Sequence, residues 1–370
     1  IVKGGTPHFV PLPGDSRSEG RMVDISAFNE ILRVDPEANV CVAEPGVTFA
    51  DLIRETLRVN RVPTVVPELE GISLGGAIVG CSVEALSYLY GGFHDSCLEY
   101  ELVTGTGEVV VCSPAEEPLL FHMMHGSYGT LAILTRITFR LVPAAPFVKM
   151  TYHKVADAKT FHDELLTLCH SGRNLLIDAI VHDPNTYVLC LGEFTDRAPY
   201  TSNYRLDEIF YKSTLARTED YLSTQDYAFR YDTECHWLSR TVPPLEWKPV
   251  RRLIGRQFLG SNNLIRWTKR LEPFLGMKKR PDVVCDVFIP SARLVEFLDW
   301  YRTEFQFFPL WVVPYLMPQM YPWVSEAHAA RMMAGMEDGL LIDCAIYGKP
   351  NSEPDRDWSE VLERKVYELG

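Results

Sequence analysis

Disulfide pairs, membrane spans and the usual dinucleotide fingerprint are all missing from this sequence. Its nine cysteines are scattered over 370 residues with no Cys-x-x-Cys spacing. An odd, widely spaced set among apolar neighbours, as in Val40-Cys41-Val42 and Val284-Cys285-Asp286, reads as small buried hydrophobes in a reducing compartment. The longest apolar stretch, Phe305 to Pro318, is 14 residues broken by three prolines. It is too short to span a bilayer and is expected to form buried strands. No Gly-x-Gly-x-x-Gly lies between a strand and a helix, so a Rossmann-type site for NAD(P)H is not visible. No signal peptide, internal repeat or low-complexity tract is visible, and a sequence that opens at Ile1 without Met leaves room for a preceding segment. Positive charge is short overall: the net charge is -13, which argues against nucleic acid as a partner.

What is present is globular. Hydrophobic residues make up 46% and charged residues 23%, enough apolar material for two or three cores at this length. The charge is unevenly spread. Between Arg240 and Arg280, eleven basic residues face two acidic ones, a window of +9 that leaves -22 for the rest. Within Trp247 to Pro281 the basic residues alternate with Trp247, Leu253, Phe258, Trp267 and other large apolar side chains. That mixture suits a membrane-surface contact through 247–281; a solvated segment pairing with the acidic remainder is the alternative.

Patterning predicts an α+β chain, because strands and helices occur without regular βαβ alternation. Phe49 to Val59 has helical spacing with Thr48 as N-cap. Tyr100–Thr104 and Glu108–Cys112 flank Gly105-Thr106-Gly107 as a hairpin. Glu117–Met124 reads as a short helix and Leu131–Leu141 as a strand. After Pro143-Ala144-Ala145-Pro146 the style changes. Strands are expected at Phe147–Tyr152, Leu175–Val181, Thr186–Phe194, Asp282–Ile289, Leu310–Leu316 and Leu340–Tyr347. Helices are expected at Ala156–Ser171 and Ser291–Tyr301. The break near Pro146 divides the chain into 1–146 and 147–370.

Val66 to Glu101 is the most informative stretch. Ile72-Ser73-Leu74-Gly75-Gly76-Ala77 sets a hydroxyl beside two glycines, and Gly80, Ser82, Tyr90, Gly91, Gly92 and Asp95 follow at short intervals. Adjacent glycines allow positive φ and close backbone approach, and consecutive N–H groups in such a turn form a nest for a pyrophosphate. A tight loop between packed elements is the competing explanation. Gly126-Ser127-Tyr128-Gly129-Thr130-Leu131-Ala132-Ile133 is a second glycine-punctuated segment.

These residues resemble the FAD-binding (PCMH-type) domain of vanillyl-alcohol-oxidase-like flavoproteins. The resemblance implies that FAD is lined by Pro67, Glu68, Ser73, Leu74, Gly75, Gly76, Gly80, Ser82, Tyr90, Gly91, His94 and Asp95. Gly126, Tyr128, Gly129, Thr130 and Ile133 close the site, and Lys3, Gly4 and Gly5 stand where the first pyrophosphate loop would lie. The wording is similar, over nearly the whole chain, to delta-24 sterol reductases. It matches at Pro67-Glu68-Leu69, Tyr90-Gly91, Tyr100-Glu101-Leu102-Val103, Asp286-Val287-Phe288-Ile289-Pro290, Pro309 to Pro314, Ile342-Asp343 and Ala345 to Pro350. What this implies is an N-terminally truncated FAD-binding domain at 1–146 and an α+β substrate or cap domain at 147–370. The eukaryotic reductases' membrane anchor is not seen, and the family continues beyond the position of Gly370. A cytoplasmic or peripheral membrane location on the cytoplasmic side is expected.

Flavin chemistry needs the substrate carbon placed against the cofactor and one proton managed by the protein. The acid should come from the second half: His236 and Tyr347 are preferred, with Glu193 and Asp343 behind them, since a neutral donor is cheaper than a carboxylate in an apolar pocket. FAD is expected to be non-covalent; His8, Cys81 and His94 are the positions where a tether would sit. No metal is expected, because His122 and His125 lack further ligands at suitable spacing. NAD(P)H is a possible reductant, and the substrate would be a hydrophobic sterol or isoprenoid. Two other readings stay open: a flavin oxidase of an alcohol or lactone, and a flavin- or sterol-binding protein without catalysis.

Overall fold

A computed structural model describes residues 23–205, 207–241, 243–264, 266–267, 270, 281–336 and 339–370. Lys3, Gly4, Gly5 and His8, and the basic residues Lys269, Lys278, Lys279 and Arg280, lie outside them. Two antiparallel sheets organise the described chain. The first holds β1 (Ile31–Asp35), β2 (Val40–Ala43), β3 (Arg61–Pro63), β4 (Cys97–Thr104), β5 (Val109–Cys112) and β6 (Ala132–Pro143), in the order β1-β2-β6-β4-β5 with β3 also paired to β6. The second holds β7 (Phe147–Val155), β8 (Leu176–Asp183), β9 (Thr186–Thr195), β10 (Glu219–Ser223), β11 (Val283–Pro290), β12 (Leu310–Leu316) and β13 (Leu340–Lys349), in the order β10-β7-β9-β8-β12-β13-β11. With helices packed on antiparallel sheets the architecture is α+β, as the patterning implied.

Local chemistry accounts for the elements that were expected. Gly107 takes φ +87° between β4 and β5, and Thr104 N donates to Glu108 O at 2.9 Å, closing the hairpin. Thr48 Oγ1 accepts from Asp51 N at 3.2 Å and starts the helix Phe49–Thr56, whose Phe49, Leu52 and Ile53 are fully buried. Asp157 does the same for the helix Ala158–Cys169 through Thr160 N. All nine cysteines are unpaired.

The period-two alternation of the second sheet decides what each of its faces meets. On β13, Ile342, Cys344 and Ile346 join Phe161, Leu165, Phe297, Leu298 and Leu362, from the helices Ala158–Cys169, Leu294–Trp300 and Trp358–Leu369. The opposite face carries Leu341, Asp343, Ala345 and Tyr347, and this face turns to the first half of the molecule. Trp311, Val313 and Ala345 belong to one apolar core with Phe49, Phe93 and Phe139 of that half. Ile177 N donates to Ala85 O at 2.9 Å and Tyr88 Oη donates to Leu175 O at 2.9 Å, so hydrogen bonds to main-chain carbonyls seam the two halves together.

One expectation fails outright. Gly75 and Gly76 do not form a positive-φ nest; they lie inside a short helix, Leu74–Val79, capped by Ser73 Oγ on Gly76 N at 3.3 Å. Gly75 is small for a packing reason: a Cβ there would stand 2.9 Å from Pro45 Cβ. The helix expected over Ser291–Tyr301 is a 3-10 turn at Ser291–Arg293 leading into Leu294–Trp300, with a wider turn over Tyr301–Phe305.

Candidate active site

Two glycine-bearing segments meet at the end of the helix Leu74–Val79. Gly126 N donates to Ile78 O at 3.3 Å and Tyr128 N to Val79 O at 3.1 Å, bringing Gly126, Tyr128, Gly129 and Thr130 beside Gly80 and Ser82. Gly126, Tyr128 and Gly129 all have positive φ, which folds this loop back on itself. Ser82 O accepts from Phe93 N at 2.9 Å and draws in the Gly91-Gly92 turn. Gly91 has φ +76°, and a Cβ on it would strike Asp95 Oδ2 at 2.5 Å. The rim is open: Gly80, Tyr90 and Thr130 are exposed, and Tyr128 is 81% exposed. Leu74 is fully buried and Pro67 also faces inward, so these two shape the wall from behind, while Ile133 is half-buried at the start of β6.

Behind the rim lies a dry cluster. His94 Nε2 is 3.2 Å from Asp95 Oδ2, which also accepts from Gly92 N at 2.8 Å and Tyr315 Oη at 3.2 Å. His125 contacts Tyr100 Oη through Nε2 at 3.1 Å and Tyr321 Oη through Nδ1 at 3.0 Å. Burial lowers His94; burial, then His94 and His122, drive His125 down to about 2, so its ring is neutral. The ligand atoms of His94, Asp95 and His125 lie within 4.8 Å of one another, a set that spacing alone did not disclose. Both His125 nitrogens are taken by tyrosine hydroxyls, so the set is a hydrogen-bonded network and not an open coordination sphere. The Cys81 thiol is pushed up to about 12 by burial and by Asp95, far from thiolate character.

These loops fit FAD on their own terms. Among the described residues, His94 Nδ1 and Ser127 Oγ are buried without a hydrogen-bond partner. Buried polar atoms are nearly always satisfied, and a polar cofactor laid along this rim brings donors and acceptors of its own. The exposed Tyr90 and Tyr128 rings and the bare Gly80 flank that line.

The two residues expected to handle protons, His236 and Tyr347, come together beside the second sheet. His236 Nε2 is 2.8 Å from Glu68 Oε1, and its ring stacks on Tyr347 at 4.0 Å and on Tyr231 at 4.9 Å between centroids. Cys235 and His236 both take positive φ, a strained arrangement held by His236 N donating to Tyr231 O at 3.0 Å. Burial raises Glu68, but the His236 hydrogen bond and charge, with Arg230, hold it below the usual range. Its Oε1 is thus engaged by His236. Tyr347 Oη donates to Asp286 Oδ1 at 3.3 Å. Asp286 is exposed and Tyr347 half-buried. Burial, then Asp286 and Glu68, push the Tyr347 hydroxyl well above its usual value. His236 is only 2% exposed, so it lies beneath Tyr347 and not on the surface.

Glu193 does not join them; it pairs with Arg173 at the surface of β9. Two groups escaped sequence reasoning. Asp286 is one. The other is Arg230, fully buried, whose Nη2 lies 2.6 Å from Glu84 Oε1 and 3.0 Å from Asp178 Oδ1. Asp178 Oδ2 in turn accepts from Tyr231 Oη at 2.7 Å and Trp311 Nε1 at 2.9 Å. A signal was available: Asp178, Asp286 and Asp343 each interrupt an apolar strand, where a carboxylate needs a reason. An open cleft of about 540 Å³ beside Glu70, Arg205 and Asp226 is bordered by the protein's own ion pairs; Arg230 reaches its wall, but Tyr347, His236, Asp286 and Asp343 do not.

Comparison with known proteins agrees with this geometry. A family model for an FAD binding domain matches residues 1–113. The chain is 25% identical over 332 residues to the Delta(24)-sterol reductase of Homo sapiens, covering 87% of this chain and 63% of that protein. It is 27% identical over 347 residues to a Delta(24)-sterol reductase homolog of Caenorhabditis elegans, covering 86% of this chain and 64% of that protein. Cytokinin dehydrogenase 9 of Oryza sativa is 27% identical over 160 residues, 42% of this chain and 31% of its own. The chain therefore spans under two thirds of the sterol reductases it resembles. The start of the chain is thus similar to an FAD binding domain, and most of its length is similar to sterol reductases.

Proposed function

We propose that this protein reduces an isolated carbon–carbon double bond in a sterol or related isoprenoid, with non-covalent FAD held by 1–146 and the substrate by 147–370. The observation that carries the reading is Tyr347: a half-buried hydroxyl held protonated, on the sheet face turned to the FAD-binding half, 3.3 Å from Asp286. When bound, FAD supplies the hydride for one alkene carbon. Tyr347 supplies the proton for the other. Its high affinity for that proton keeps it an acid at neutral pH, and His236 fixes the ring plane from below while Glu68 orients His236. His236 thereby passes from candidate acid to positioning residue. Phe288 and Leu341 on the same face as Asp343 pack with Val83, Tyr315, Met317, Met332 and Met336 into a small apolar cluster that suits contact with a hydrocarbon.

The test is anaerobic. The purified yellow protein, bleached by dithionite, is expected to regain its flavin absorbance on addition of a sterol alkene. Recovery only with oxygen would instead favour an alcohol or lactone oxidase, and recovery with neither a non-catalytic binder. NAD(P)H is the proposed physiological reductant, checked by bleaching with it in place of dithionite.

A peripheral membrane contact belongs to the same proposal. No helix among the described residues is long and apolar enough to cross a membrane. Trp247 is 64% and Leu253 84% exposed beside Lys248 and Arg252. Two charges of the basic segment are used internally, Arg251 on Glu234 at 2.6 Å and Arg252 on Asp207 at 2.6 Å. The contact is thus carried by the two exposed apolar residues with Lys248. Co-sedimentation with anionic vesicles at moderate salt is expected, and Trp247→Ala with Leu253→Ala should abolish it; an unchanged bound fraction rules the contact out.

A further inference from the structure

Asp343 sits in the middle of β13 with 1% exposure, and neither of its carboxylate oxygens has a hydrogen-bond partner among the described residues. Its cross-strand neighbours are Phe288 on β11 and Val313 on β12, and its neighbours along the same face are Leu341 and Ala345. None of these side chains offers a donor. An ionised carboxylate left so would cost far more than the fold can spare, so the group carries a proton. Asp286 faces Ala345 across the β11–β13 pair, which makes it the diagonal neighbour of Asp343 on one side and of Tyr347 on the other. Three groups thus form a line along one sheet face: Asp343 in the dry interior, Asp286 next, and Tyr347 hydrogen-bonded to Asp286 at 3.3 Å.

We propose that Asp343 is the proton store of this site, recharging Tyr347 by way of Asp286 when bound substrate covers these two groups and keeps water from them. The inference rests on the alkene-reductase reading above. In the donating step the Tyr347 O–H bond breaks as a C–H bond forms on the substrate. The Asp286 carboxylate takes a proton from Asp343, on rotation of its side chain toward that group, and passes it to the phenolate. The resulting Asp343 carboxylate is refilled from solvent through Asp286 once the product has left. Reduced flavin supplies the hydride, which carries both electrons and one hydrogen, and Tyr347 supplies the second hydrogen as a proton. Burial, then the negative charges of Asp286 on β11 and Glu68 of the first half, raise Asp343 well above the usual carboxylate range. Burial and Glu68 raise Asp286 as well, with His236 and the Tyr347 hydrogen bond opposing. Tyr315 on β12 directs its hydroxyl away, onto Asp95.

The experiment uses the flavin-loaded protein and two readouts. Infrared difference spectra at neutral pH are expected to show the C=O stretch of a protonated carboxyl, lost in Asp343→Asn. In Asp286→Asn that band should titrate away at lower pH, because a repelling charge is gone; this second variant serves if the first folds poorly. In single-turnover reoxidation by a sterol alkene, Asp343→Asn should slow the step at least about tenfold with flavin content and substrate affinity unchanged, the loss growing as pH rises. The absence of the protonated band in the parent protein, its persistence in Asp343→Asn, or an unchanged turnover rate would each overturn the proposal. Failure of the alkene to reoxidise even the parent protein overturns the alkene-reductase reading instead, and the infrared band still reports whether Asp343 holds a proton.

Discussion

Replacing Tyr347 by Phe is expected to slow reoxidation of the reduced flavin by a sterol alkene about 100- to 10,000-fold, the range general acids contribute. The flavin content should stay normal, because Tyr347 lies on the second sheet and the cofactor loops of the first half keep every hydrogen bond described for them. The ring stack on His236 at 4.0 Å survives the change, since only the hydroxyl is removed. Transient absorbance under anaerobic conditions measures the rate. A change in substrate affinity without a change in the limiting rate would mean that Tyr347 shapes the pocket and delivers no proton. Asp286→Asn tests the same hydroxyl from the other side and should reproduce part of the loss.

Replacing Arg230 by Ala is expected to lower stability by about 3–5 kcal/mol, the penalty for breaking a buried charge pair from one side. The guanidinium is fully enclosed with Glu84 and Asp178, and it lies over the Tyr227 ring at 4.2 Å and the Tyr231 ring at 4.9 Å. Its removal leaves two carboxylates without a cation in the seam between the halves. Denaturant titration reads the loss. Adding Glu84→Gln and Asp178→Asn should restore a good part of it, because the uncompensated charges then vanish. If the single variant melts like the parent, the buried pair is not what fastens the seam. The hub also holds Tyr231, which stacks under His236. The Arg230 variant is therefore expected to loosen the bed of Tyr347 even where it remains folded.

How far the sequence revealed this arrangement depended on the range of the interactions. Strands β4, β5, β8, β9, β12 and β13 were readable because their period-two patterns and turn residues are local. β3, three residues long at Arg61–Pro63, was invisible because its only support is pairing with β6. The helix over Gly75 and Gly76 went unseen because glycine's intrinsic preference points away from helix; the Ser73 cap and close packing on Pro45 override it. Tyr347 and His236 were both picked as proton donors from their chemistry, without any means of knowing that they stack. The Glu68–His236 contact spans 168 residues of chain, and no local pattern encodes such a pairing. Asp343 was readable as an odd carboxylate in an apolar strand, but its isolation from donors emerges only when Phe288 and Val313 are seen beside it.

The apolar core common to both sheets has a consequence for how such proteins diversify. Leu176, Tyr227 and Ala228 of the second half pack on Ile53, Val62, Val65 and Leu86 of the first, leaving a residual cavity of only about 30 Å³. Neither half closes its own surface there, so an excised 147–370 fragment would bare an aggregation-prone patch. Grafting a cap from one relative onto the flavin module of another must carry the matching inner-face residues with it. Strand alternation keeps that transplant tractable: the helix-backed face can be left as it is, and only every second position of β8, β12 and β13 has to be renegotiated.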